Sequence, residues 1–80
     1  MNGLALPNIH TAVVEEIDPH LIGRIIGKGG ETLRRMKTET ECRIVVADNG
    51  RMWIDGELDG ILDVRNRLSA ISRESRGGRN

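Results

Sequence analysis

The chain predicts an α+β domain of order β-α-α-β-β-α, a three-stranded antiparallel sheet covered on one face by three helices. Three features carry that expectation. Runs at 9–17 and 42–46 are rich in β-branched residues, the run at 51–55 alternates, and all three read as strands. Gly27-Lys28-Gly29-Gly30 puts three glycines in four residues, which no helix tolerates well. From Leu58 onward, apolar residues at 58, 61, 62, 64, 68 and 71 keep the spacing of an amphipathic helix.

The elements follow in order. Residues 1–8 hold Gly3 and Pro7 without a sustained period and read as a flexible lead-in. The strand from Ile9 stops at Asp18-Pro19, where Asp18 can cap a helix and Pro19 occupies its first turn without losing a needed N–H. Leu21, Ile22, Ile25 and Ile26 give that short helix an apolar face before the glycines end it. A second helix starts near Gly30, carries Leu33 and Met36 on one side, and should end near Thr40. Asp48-Asn49-Gly50 joins the last two strands as a tight turn, because Asn and Gly accept positive φ. The domain should span 9–73, and residues 74–80, with Arg76, Arg79 and two glycines, read as a flexible basic tail.

Composition narrows the function. Eighty residues make one small domain, and 38% hydrophobic content is enough to fold it. With one Trp and no Phe or Tyr, the core must be aliphatic. Twelve Lys/Arg balance twelve Asp/Glu, so bulk positive charge cannot hold a polyanion. The charges are segregated, however. Residues 23–37 hold Arg24, Lys28, Arg34, Arg35 and Lys37 against Glu31 alone, whereas acids gather at 15–18 and from Asp48 to Asp63. A single Cys forms no internal disulfide, no apolar run spans a membrane, and no basic-then-apolar leader precedes the domain. A cytoplasmic setting follows as the default, or a nuclear one in a eukaryote.

The glycine segment carries the chemistry. A glycine turn between two helices lets backbone N–H groups approach a phosphate closely, and the second helix aims its positive end the same way. Lys28 adds a mobile charge. Beside it, Gly23 leaves the first helix bare, and Ile26, Leu33 and Ile44 could line an aliphatic groove about one base wide. A nucleotide P-loop does not fit, since the Gly23–Gly27 interval is one residue short and Gly29 stands where Ser or Thr should hold magnesium.

Residues 21–46 resemble the core of a type I KH domain, whose signature is an aliphatic-Ile-Gly-x-x-Gly loop in this order of elements. The resemblance rests on Ile25-Ile26-Gly27-Lys28-Gly29-Gly30 with Leu33 at the right interval, and on Met52-x-Ile54-x-Gly56 in the last strand. It implies a non-catalytic module that clamps about four nucleotides of single-stranded RNA, with single-stranded DNA the lesser substrate. Carried over by position, Gly27, Lys28, Gly29 and Gly30 would hold the backbone. Gly23, Arg24, Ile26, Leu33 and Ile44 would line the groove, flanked by Arg34, Lys37 and Arg43. It implies no cofactor or metal, and the usual partners would be a second copy or other RNA-binding domains of a larger protein.

Three departures stand out. Glu41 replaces the glycine that usually ends the second helix, Glu31 follows the loop directly, and the last hairpin is short, which resembles the KH domain of polynucleotide phosphorylase. The competing reading is a protein-interaction or dimerisation domain on the same scaffold. Should Met52 and Ile54 face the core, Trp53 must face the opposite side of the sheet, where a lone Trp is a favoured interface anchor. Catalysis has no visible basis, because His10 and His20 lie apart from any nucleophile or acidic pair, and Cys42 reads as a small core residue.

Overall fold

The computed structural model describes residues 10–77, with side chains through residue 74. The lead-in, Ile9 and residues 78–80 lie outside the described residues. Strand β1 spans His10–Glu16, helix α1 Ile22–Ile26, helix α2 Glu31–Thr40, β2 Arg43–Val46, β3 Arg51–Glu57, and α3 Leu58–Gly77. This is the predicted β-α-α-β-β-α order, and the three strands form one antiparallel sheet.

The sheet order is β1-β3-β2, so the last strand is central and β2 is an edge. Alternation sorts the side chains. Val13 faces inward with Met52 and Ile54 of β3 and Ile44 of β2, while Val14, Trp53 and Val45 face outward. Against the inner face pack Ile25 of α1, Met36 of α2, and Ile61, Val64 and Leu68 of α3. No aromatic ring contributes, and the core is aliphatic apart from Met36, Met52 and Cys42.

Local chemistry places the joints. Asp18 accepts a hydrogen bond from the His20 N–H at 3.0 Å and opens a 3-10 turn, Pro19–Leu21, that feeds α1. That bond, then the contact with the His20 ring, holds the Asp18 carboxyl below its ordinary pKa. At the hairpin, the Gly50 N–H bonds the Ala47 carbonyl and the Ala47 N–H bonds the Arg51 carbonyl. Gly50 has φ +94° and its carbonyl accepts from Ile17, which ties the turn to the end of β1.

Helix α3 runs through Gly77, past Arg73 where the sequence suggested a loosening chain. The Glu74 carboxylate lies 3.7 Å from Arg24 on α1, so this stretch packs beside the first helix instead of leaving the domain. Nearer its start, α3 is tied to α2 through Arg67, which bonds Glu39 at 2.7 Å and Asp63 at 3.1 Å. Those bonds, Asp63 first, raise the guanidinium pKa above its ordinary value.

Candidate nucleic-acid interface

The loop between α1 and α2 is a turn that only glycine can make. Gly27 closes α1 with φ 78° and ψ 175°, a region essentially restricted to glycine. A Cβ there would also collide with the Oγ1 and Cβ of Thr32. Lys28–Gly30 then form a single 3-10 turn in which Gly29 and Gly30 are left-handed, at φ 62° and 79°. The Gly30 N–H bonds the Gly27 carbonyl at 3.1 Å and closes the turn.

That geometry exposes donors. Gly30 is the N-cap of α2 and offers no side chain; the Glu31 N–H bonds the Lys28 carbonyl, and the next N–H groups of the helix have no side-chain cap. They point toward the loop with the positive end of a ten-residue helix behind them. Lys28 is exposed and makes no ion pair among the described residues. Arg34 folds back over the loop and donates from Nη2 to the Gly29 carbonyl at 3.3 Å. Glu31, which follows the loop directly, pairs with Arg35 at 3.2 Å, one turn along α2. Sequence reasoning missed Thr32, since only the backbone path reveals that it packs on Gly27.

The groove beside the loop is partly as expected. Gly23 is exposed, and a Cβ placed on it would touch nothing within 4 Å. Ile26 and Leu33 are half-buried, and Arg24 and Lys37 are exposed on its flanks. Two residues differ. Ile44 is only 4% exposed and belongs to the core, because strand alternation turns it inward opposite Ile54. Arg43, its neighbour, faces the outer side of the sheet, so it can reach a bound strand only from the rim.

Strand β2 contributes its backbone instead. The Ala47-to-Arg51 bond fixes the ladder, and counting back by twos, Val45 and Arg43 bond β3. The N–H and C=O groups of Ile44 and Val46 therefore face the unpaired edge, and α2 packs beside that strand. A cavity of about 440 Å³ lies elsewhere, lined by Glu39, Glu41, Glu57, Asp59 and Asp63 among others, and its carboxylates would repel a phosphate.

The Gly-x-x-Gly turn with its φ-positive glycines thus lies at the start of α2, near the free edge of β2. Residues 11–70 match the family model described as "KH domain", and the chain belongs to that family. Its element order is that of the type I fold. Among curated proteins it is 39% identical to the "Exosome complex component Rrp4" of Methanosarcina mazei over 72 residues, 86% of this chain and 28% of that one. The Rrp4 proteins of Methanothermobacter thermautotrophicus (37% over 75 residues, 94% and 24%) and Picrophilus torridus (31% over 77 residues, 90% and 34%) are similar. The chain thus spans a quarter to a third of the length of these relatives. Family and relatives together support RNA binding in general. No described helix is long and apolar enough to cross a membrane.

Proposed function

We propose that this chain is a non-catalytic clamp for about four nucleotides of single-stranded RNA. The observation that carries the reading is the uncapped start of α2 behind Gly27–Gly30, with Lys28 unpaired beside it. Backbone N–H groups of the loop and helix hold the phosphates, joined by Lys28, Arg34 and Lys37. Arg24 and Arg43 stand at the margins. One base stacks over the bare surface at Gly23 against Ile26 and Leu33, and its edge pairs with the backbone of Ile44 and Val46.

Without an aromatic platform in the groove, affinity for one domain is on the order of micromolar. Single-stranded DNA presents the same phosphates and base edges without the 2′-hydroxyl, and is the lesser substrate in this reading. A role inside a larger RNA-handling assembly accords with relatives named as exosome complex components, and a cytoplasmic setting accords with it too.

The test replaces Lys28 and Gly29 together with Asp. Gly29 sits in a left-handed conformation that Asp tolerates, with open space around its Cα, so the fold should survive. Fluorescence anisotropy with a short labelled RNA should show binding reduced at least tenfold, while circular dichroism melts stay within a few degrees. Undiminished binding by a folded double variant would remove the loop from the interface.

A further inference from the structure

Both ends of the glycine turn meet a side chain from the first turn of α2. At the far end, Arg34 donates from Nη2 to the Gly29 carbonyl at 3.3 Å, and its Nη1 stands 3.8 Å from the point a Cβ on Gly30 would occupy. At the near end stands Thr32, the second residue of the helix. Side chains on a helix lean toward its N-terminus, so Thr32 leans back onto the loop. The atom it brings closest to the missing Cβ of Gly27 is the hydroxyl oxygen, ahead of its own Cβ.

That hydroxyl is unused within the chain. A threonine in a helix often turns its hydroxyl onto the carbonyl four residues back, as Thr40 does with Met36 at 2.7 Å. For Thr32 that carbonyl belongs to Lys28, which already accepts the Glu31 N–H. Thr32 is exposed, and its hydroxyl makes no hydrogen bond among the described residues. Packing against Gly27 needs only the shape of the side chain. A donor left free at that spot needs an acceptor from outside.

We propose that Thr32 is a binding residue of the clamp, its hydroxyl donating to a phosphate oxygen of the nucleotide held at Gly27. The inference rests on the clamp reading and adds an uncharged contact to it. A phosphate oxygen only accepts, and a hydroxyl can always turn its proton toward such a group. The groove surfaces that would meet a base lie at Gly23, Ile26 and Leu33, whereas Thr32 lies against the loop backbone itself. Because the hydroxyl replaces no counterion, it strengthens the grip without making it more sensitive to salt.

Thr32→Val and Thr32→Ser separate the hydroxyl from the shape that carries it. Anisotropy with a short labelled RNA should show Thr32→Val about fivefold weaker, the loss of one exposed hydrogen bond, and Thr32→Ser within about twofold of wild type. The slope of log affinity against log salt should be unchanged in Thr32→Val, since no cation is lost. Thr32→Ala, which cannot crowd Gly27, repeats the measurement if the valine lowers the melting temperature. Wild-type binding by the variants without a hydroxyl overturns the proposal, as does a serine variant as weak as the valine. A flatter salt slope overturns it too, because the loop would then have come apart and taken Lys28 and Arg34 with it. A penalty that vanishes on the same oligonucleotide with 2′-deoxy sugars overturns phosphate as the acceptor. The double aspartate at Lys28 and Gly29 is measured alongside. Undiminished binding there removes the clamp itself, whereas its loss with Thr32→Val unaffected leaves the clamp standing and removes only the part given to Thr32.

Discussion

Glu41 is the residue whose conformation disagrees most with its chemistry. It caps α2 at φ 57°, ψ 36°, and it is the one non-glycine with positive φ among the described residues. A left-handed L-residue costs about 1–2 kcal/mol, partly offset because glycine loosens the unfolded chain. Glu41→Gly should therefore stabilise the domain by roughly 0.5–1 kcal/mol, read as a melting temperature a few degrees higher. Gly23 makes the opposite use of a missing side chain. Gly23→Ala should stabilise α1 by about 0.5–1 kcal/mol. Gly23→Leu should preserve the helix yet fill the groove, weakening RNA binding about tenfold, the loss of one good contact. Titration calorimetry beside a melt separates the two effects. The residue types here were legible in the sequence, since glycine spacing and the misplaced Glu41 show in one dimension. The inward turn of Ile44 was not, because a four-residue strand gives too few alternations to choose its buried face.

At the scale of elements, the clamp is a joint between two helices, and each helix is tuned to it. Helix α1 ends because Gly27 leaves helical space, and α2 begins with no cap other than the loop itself. Thr32 locks the joint by filling the space that a Cβ on Gly27 would need. The order of elements could be read from the sequence because each has its own period and its own stop signal. The strand order could not. Placing β3 in the centre gives β2 a free edge, and that edge exposes the backbone of Ile44 and Val46. The length of α3 was hidden too, since glycines and arginines near the end suggested fraying, while the Arg24–Glu74 contact lies on the folded domain.

On the whole molecule, zero net charge resolves into two ends. The loop end carries Lys28 and Arg34, Lys37 lies in the last turn of α2, and the far end gathers Glu39, Glu41, Glu57, Asp59 and Asp63 around one cavity. On the proposed reading, such a split would steer nucleic acid to one side and exclude it from the other, with little general attraction. Three phosphate-contacting cations on a single strand predict a slope of log affinity against log salt of about −2, well short of strongly basic binders. Anisotropy titrations across a salt series measure it, and a slope several-fold steeper would mean that charges outside the loop dominate. So weak an electrostatic grip accords with the proposal of a module that works beside others.

The most direct measurement of the clamp is an amide chemical-shift titration with a short single-stranded RNA. The arrangement predicts large shifts at Gly27–Gly30, at the first turn of α2, and at Ile44 and Val46, with Arg43 and Val45 amides nearly still because they bond β3. Shifts confined to the outer face around Trp53, or an unperturbed loop at saturation, would contradict it.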